Sequence, residues 1–78
     1  MPKDLDHVWK ALADPTRRQI LESLDNEPAS TGAIVDRFAP NLVRTAVMKH
    51  LDVLERARLI RIERIGRNRR NHIERQPL

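Results

Sequence analysis

The hydrophobic period of this chain changes once, after Ala57, and the change constrains the fold more than any other feature. Before Ala57, apolar residues recur three and four positions apart, as they do on one face of an α-helix. From Leu59 to Ile65 they alternate with charged residues, which is typical of a half-buried β-strand. The pattern therefore predicts that the helices come first and a small β-structure comes last.

Four helical segments are predicted before the change. The first carries an apolar stripe formed by Leu5, Val8, Trp9 and Leu12. Asp14 and Pro15 mark the start of the second, because aspartate is a strong N-cap and proline suits the first helical position. Asn41 is the expected N-cap of the last helix. The predicted helices span about residues 4–13, 15–24, 31–38 and 42–57.

A β-hairpin over residues 59–74 is predicted to follow, with its turn at Ile65-Gly66-Arg67-Asn68. The chain of 78 residues is thus predicted to form one mostly helical α+β domain over residues 1–78. It contains no cysteine, so neither a disulfide nor a thiolate metal site can stabilise its small core. Domains of this size often gain stability by forming oligomers.

Charge is distributed unequally along the sequence. Residues 1–40 hold five basic and seven acidic side chains, whereas residues 41–78 hold ten basic and four acidic ones. Nine of those ten are arginines, whose planar donors suit phosphate groups and guanine edges. A solvated basic tail is one explanation, but lysine would serve solubility as well. The preference for arginine favours a polyanionic partner, most simply a nucleic acid.

The order of the elements suits duplex DNA. The second of two short helices joined by a turn can enter the major groove, while an arginine-rich hairpin reaches the flanking backbone or minor groove. On the fourth helix, the candidate contacts lie opposite the apolar side chains: Arg44, Thr45, Met48 and Lys49. In the hairpin, the candidates are Arg67, Arg69 and Arg70. The alternatives are an ordinary solvated helix face and a small helical domain with a hairpin that binds nothing.

Four other arginines are weaker candidates. Arg61 and Arg64 can be explained by cross-strand pairing with Glu63 or Glu74. Arg17 and Arg18 can be explained by packing near the start of the second helix.

Three segments resemble the ArsR-type family of prokaryotic winged helix-turn-helix repressors. Residues 11–21 (ALADPTRRQIL) resemble its opening signature, and residues 44–55 (RTAVMKHLDVLE) resemble its recognition helix. Ala57-Arg58-Leu59-Ile60, followed by Gly66-Arg67, resembles the lead into its wing. The residues of these segments are most similar to those of a subgroup without metal-binding cysteines. The chain departs from the family in a longer turn before the fourth helix and in Val43, where a serine N-cap is usual.

The resemblance implies a sequence-specific regulator of transcription that binds a pseudo-palindromic operator as a homodimer and acts as a repressor. It marks the same four positions of the fourth helix and implies a cytoplasmic protein associated with the prokaryotic nucleoid. Family members share the dimer contact between the first helix and a C-terminal helix, and the sequence ends at Leu78 without the latter. The expected dimer interface is therefore Leu5, Val8, Trp9 and Leu12, although Trp9 could instead belong to the core.

Other functions find little support in the sequence. The sequence shows no nucleophilic cysteine, phosphate-binding glycine loop or evident paired-carboxylate pocket, so nothing in it indicates an enzyme. We expect no cofactor and no metal, because the histidines His7, His50 and His72 lack ligand spacing; a half-buried, hydrogen-bonded packing role is more typical of His50. No apolar stretch is long enough to cross a membrane, and no secretory signal is visible. A protein-interaction module without specific DNA reading is the main alternative, and RNA binding is disfavoured because the basic half lacks stacking aromatics.

Overall fold

The computed structural model describes residues 3–75, with side chains described from residue 5 onward. Over these residues the chain forms four helices and a three-stranded antiparallel sheet, which confirms the predicted α+β winged helix-turn-helix fold. The outermost residues of the predicted domain, 1–2 and 76–78, lie outside the described residues. The elements are α1 (Lys3–Leu12), α2 (Pro15–Leu24), β1 (Ala29–Ser30), α3 (Thr31–Phe38), α4 (Arg44–Arg56), β2 (Ile60–Ile65) and β3 (Asn68–Ile73).

The junction between α1 and α2 forms as the sequence predicts. The Asp14 carboxylate accepts hydrogen bonds from the backbone N–H groups of Thr16 (2.7 Å) and Arg17 (3.3 Å), and Pro15 occupies the first turn. Burial opposes ionisation of this carboxyl group, but the two N–H donors, His50 and the Arg17 guanidinium outweigh it and lower the pKa of Asp14. The cap therefore holds a negative charge where the helix dipole favours one.

The prediction that Asn41 caps the fourth helix is wrong. The N-cap is Val43, which has extended backbone dihedrals, and α4 begins at Arg44, two residues later than predicted. The N–H of Leu42 donates to the carbonyl oxygen of Phe38 (3.0 Å), so Leu42 belongs to the turn that closes α3. Its half-buried side chain also packs against the core. The valine side chain has no oxygen that could accept from the orphan N–H groups of α4, so the first turn of this helix lacks a side-chain cap.

The C-terminus of α4 is a Schellman motif. The N–H of Arg58 donates to the carbonyl oxygen of Glu55 (2.9 Å), and the N–H of Leu59 donates to that of Leu54 (3.0 Å). Arg58 has a φ of 60°, the left-handed conformation that glycine usually supplies at this position. These bonds turn the chain directly from α4 into β2.

The sheet contains a short strand that the sequence did not predict. β1 pairs antiparallel with β3, which also pairs with β2, so the strand order is β1-β3-β2. A strand of two residues has no hydrophobic period of its own, and only its partner defines it. Between β2 and β3 the turn has two residues, and Gly66 takes the φ of +60° that a type II′ hairpin requires at its first position.

The core lies between the helices and one face of the sheet, and α1 contributes less to it than its apolar stripe suggests. Its fully buried residue is Ala11, whereas Val8 and Leu12 are half-buried and Leu5 is exposed. Trp9 is 58% exposed, so the alternative that it belongs to the core is wrong. The remaining buried apolar side chains are Ile20, Leu24, Ala29, Ile34, Val47, Leu51, Leu54, Ala57, Ile60 and Ile62.

Candidate nucleic-acid interface

One side of α4 faces solvent along most of its length. Val47, Leu51 and Leu54 are buried on the other side and fix the rotation of the helix. Among the predicted contact residues, Arg44, Thr45 and Lys49 are exposed and Met48 is half-buried. The rotation about the helix axis is therefore the one that the sequence predicted.

The two faces of the hairpin carry different chemistry. In the register of the sheet, Ile60 lies opposite Ile73 and Ile62 opposite Asn71, and these pairs face the core. Because faces alternate along a strand, the next pair on that side is Arg64 and Arg69. The opposite face carries the pairs Arg61–His72, Glu63–Arg70 and Ile65–Asn68. The predicted wing residues thus divide: Arg69 lies on the core-side face, Arg70 on the outer face and Arg67 in the turn.

The pairing of Arg64 with Arg69 indicates the charge of the molecule that this face would bind. Two like charges directly opposite each other destabilise a pair of strands. On the outer face, by contrast, Glu63 lies opposite Arg70, and its Oε1 atom is 3.0 Å from Nε2 of His72. The core-side face therefore carries two arginines and no acidic side chain at its outer end, whereas Glu63 offsets part of the positive charge on the other face. A line of phosphates would neutralise the core-side pair. Arg64 was a weak candidate by sequence, because pairing with glutamate is plausible until the register is known.

A polar cleft of about 410 Å³ brings residues of α3, α4 and the hairpin together. Three predicted contacts with long side chains, Arg44, Arg67 and Arg69, line it together with Met48. Thr45, Lys49 and Arg70 are not among its lining residues. The remaining lining residues, which the sequence did not indicate, are Ser30, Thr31, Gly32 and Asn68.

The start of α3 forms one wall of the cleft. Ser30 caps this helix, since its Oγ atom accepts a hydrogen bond from the N–H of Ala33 (3.0 Å). The sequence contained the signal for this cap, a Ser-Thr pair before an apolar segment. It gave no signal that β1 would bring the cap beside Arg44 and Arg69.

Arg17 and Arg18 have structural roles. The Arg17 guanidinium donates to the carbonyl oxygens of Ala11 (Nε, 2.8 Å) and Lys10 (Nη2, 3.0 Å), and Arg18 donates to that of Leu12. They satisfy the orphan carbonyls at the C-terminus of α1, where the helix dipole favours a positive charge. This agrees with the packing explanation.

The histidines do not form a metal centre in the part of the chain that is described. No group of three or more potential ligands lies together there. His50 is half-buried, as predicted, but its buried Nδ1 atom forms no hydrogen bond with any described residue. Over residues 3–75, no helix combines the length and apolar character needed to cross a membrane.

The sequence matches a family of helix-turn-helix domains over residues 12–63. It is 36% identical over 62 residues to the transcriptional repressor SdpR of Bacillus subtilis, a match that covers 80% of this chain and 67% of SdpR. It is 47% identical over 55 residues to the HTH-type transcriptional regulator Rv2034 of Mycobacterium tuberculosis, covering 70% of this chain. That match spans only 50% of the mycobacterial protein.

Solved structures agree with the sequence matches. The ArsR family transcriptional regulator RHA00566 superposes with a TM-score of 0.85 at 36% identity, covering 95% of this chain and 74% of that one. HlyU from Vibrio cholerae superposes with a TM-score of 0.82 at 26% identity, covering 95% of this chain and 82% of that one.

Proposed function

Because the chain belongs to the ArsR family of winged helix-turn-helix transcriptional regulators, we propose that it represses transcription by binding a specific, pseudo-palindromic DNA sequence as a homodimer. The observation that carries the proposal is the cleft in which Arg44 of α4 meets Arg67 and Arg69 of the hairpin. The proteins that the chain matches are regulators of transcription, and the chain is not an enzyme.

Base reading is proposed for the first turns of α4. Arg44 can donate both arms of its guanidinium to O6 and N7 of a guanine, a contact that discriminates by about 1–3 kcal/mol. Thr45 and Met48 can contact a thymine methyl group or the base edges, and Lys49 a phosphate or a guanine. The exposure of Arg44, Thr45 and Lys49 supports these roles.

Phosphate contact is proposed for the hairpin, or wing. Arg67 and Arg69 line the cleft, and Arg64 shares the face of Arg69. Arg70 can also approach a phosphate, but it lies on the other face opposite Glu63, so we expect it to contribute less. These contacts carry no sequence information directly and would hold α4 in register on the duplex.

The proposed dimer interface is the stripe of α1 formed by Leu5, Val8, Trp9 and Leu12. Its two most exposed members, Leu5 (40%) and Trp9 (58%), are large apolar side chains that face solvent in the single chain, which supports an intermolecular role. Pairing places two recognition helices on successive major grooves, about 34–36 Å apart. Repression is proposed because such a dimer would occlude a promoter, and SdpR is named a repressor. The proposed setting is the prokaryotic nucleoid in the cytoplasm.

A selection of bound sequences from a random duplex pool, followed by titration of the selected site at two salt concentrations, tests the proposal. We expect a two-fold symmetric consensus and an affinity that falls steeply with salt. Absence of binding to any duplex would reject the proposal in favour of a protein-interaction module. Equal binding of all duplexes would reject its sequence-specific part.

A further inference from the structure

Asn71 is the most deeply buried polar side chain of the described sheet. It lies in the middle of β3, opposite Ala29 on one side and Ile62 on the other, and is 0% exposed. Its Nδ2 atom donates to the carbonyl oxygen of Ala29 (3.2 Å) and to Oγ1 of Thr31 (3.1 Å). Thr31 is itself buried. One amide thus joins the wing to β1 and to the first residue of α3.

Stability alone does not explain an amide at this position. The Oδ1 atom of Asn71 is buried and has no hydrogen-bond partner among the described residues. A buried acceptor without a partner is unfavourable, and an apolar residue there would extend the apolar face formed by Ile60, Ile62 and Ile73. A buried polar contact can instead select one arrangement among several of similar energy.

The arrangement that the amide can select is the register and attachment of β3. Shifting a strand by one residue exchanges its two faces. Such a shift would bury the charged neighbour Arg70 or the neighbour His72 and turn Arg69 away from the cleft. Only the observed register presents the amide to Thr31, and in that register Arg69, two residues before Asn71, lies on the same face and lines the cleft.

We propose that Asn71 is a positioning residue for DNA binding: through Thr31 and Ala29 it holds β3 against the start of α3, so that Arg69 stays beside Arg44. The inference rests on the proposed function, because the position of the wing relative to α4 matters only if both bind the same DNA duplex. Asn71 itself is buried and touches no DNA.

The variant Asn71→Leu removes the amide and puts an apolar side chain of similar size in its place. The first measurement needs no DNA: amide hydrogen exchange of β1 and β3. We expect the amides of residues 29–31 and 69–71 to exchange at least about tenfold faster than in the wild type. The exchange rates of the α2 and α4 amides should change only as much as the global free energy of unfolding changes. Ile20→Val, a core change in α2, provides the matched control. Uniform acceleration in both variants would overturn the proposal.

The second measurement is the salt dependence of binding to the selected duplex. Arg69→Ala should lower the log–log slope by about 0.9 for each phosphate that it leaves unneutralised. Asn71→Leu should lower the slope by a similar amount, and the double variant should lower it no further, because both changes act on the same phosphate. Ile20→Val should leave the slope unchanged. A wild-type slope in Asn71→Leu, beside a reduced slope in Arg69→Ala, would overturn the proposal.

A milder variant keeps the test decisive if Asn71→Leu does not fold. Thr31→Val keeps a similar shape and replaces the hydroxyl that accepts from Asn71 with a methyl group, so we expect the same localised exchange pattern to a smaller extent. If the wild-type chain binds no duplex, the proposed function fails, and the exchange measurement still decides whether Asn71 holds the wing in place.

Discussion

Arg17 and Arg44 carry the same side chain, yet their surroundings give them different roles. The Arg17 guanidinium is occupied by two carbonyl oxygens at the C-terminus of α1. Arg44 is exposed in the first turn of α4 and lines the cleft. Since a guanidinium cannot lose its proton at physiological pH, the available acceptors decide what each arginine does. An arginine whose acceptors are already inside the chain is structural, and one without them can bind a partner.

Replacing Arg44 by alanine should change base preference without unfolding the domain. We expect specific binding to weaken by about 1–3 kcal/mol and preference to relax at one or two positions of each half-site. Repeating the selection with the variant measures this directly. Asp52→Ala, on an exposed position of the same helix, is the control for surface changes in α4. If the selected consensus is the same for Arg44→Ala as for the wild type, Arg44 does not read a base.

The charge of Asp14 should make stability depend on acidity. Its folded-state pKa lies below the ordinary value of 3.8, so its contribution is complete above that value and is lost as the pH falls through the folded-state pKa. Asp14→Asn keeps the cap but not the charge. At neutral pH we expect the wild type to be more stable than Asp14→Asn by at most about 1 kcal/mol. Urea unfolding should show this difference shrinking below about pH 4. A difference independent of pH would contradict the assignment.

Among the elements, α4 depends on the residues that flank it, and the wing depends on its turn and on a distant strand. α4 lacks a side-chain cap at Val43 and ends in a Schellman motif whose left-handed position is taken by Arg58. The wing depends on Gly66 in its turn and on β1, which precedes it in the chain by two helices. The two ends of α4 are therefore not optimal, and the C-terminal one leaves room for a measurable gain in stability.

Arg58→Gly should stabilise the domain. Side chains with a Cβ atom are disfavoured in the left-handed conformation by about 1–2 kcal/mol, and glycine is not. Allowing for the greater entropy of glycine in the unfolded chain, we expect a net gain of about 1 kcal/mol in thermal or urea unfolding. Arg58→Ala removes the same charge but keeps the Cβ atom, so it should give no gain. Equal effects of the two variants would mean that charge, not the backbone, is responsible.

The two faces of the wing can be compared with an equal change in charge. Arg64→Ala combined with Arg69→Ala removes two arginines from the core-side face, and Arg61→Ala combined with Arg70→Ala removes two from the outer face. The first pair should weaken binding to all duplexes similarly and lower the salt slope by about 0.9 for each phosphate left unneutralised. The second pair should change the slope less. Equal slopes for the two pairs would mean that only net charge matters.

For the molecule as a whole, two exposed surfaces of the described residues are candidates for binding a partner. One is the cleft between α4, α3 and the wing, and the other is the exposed stripe of α1 with Trp9. A domain of this size gains stability from association, and a single recognition helix reads few base pairs. Both considerations favour a second copy on α1.

Trp9→Ala should shift the protein toward monomer before it lowers folding stability. Since Trp9 is largely exposed in the single chain, its truncation removes little core packing. Ile65→Ala shortens a similarly accessible apolar side chain on the wing and should leave the oligomeric state unchanged. Sedimentation velocity over a range of concentrations measures both. A wild-type chain that stays monomeric at the highest concentration and binds a palindromic site without cooperativity would contradict the dimer.

Features that depend only on neighbouring residues could be predicted from the sequence. The helical periods, the Asp14–Pro15 start, the Gly66 turn and the alternation of β2 all follow from local geometry. Their bounds agree with the structure to within about two residues. The solvent-facing side of α4 was also predictable, because Val47, Leu51 and Leu54 must share the buried side.

Tertiary structure alone decided the features that depend on residues distant in sequence. β1 exists because β3 lies beside it, and Asn71 is buried because that pairing brings Thr31 to its amide. The register, rather than the arginine content, decides that Arg69 and not Arg70 lies on the core-side face. The start of α4 differs from the prediction because the side chain of Leu42 packs against a core formed by residues from the whole chain. In each case the contacting residue is brought close only when the core forms, and no pattern of neighbouring residues indicates which residue that will be.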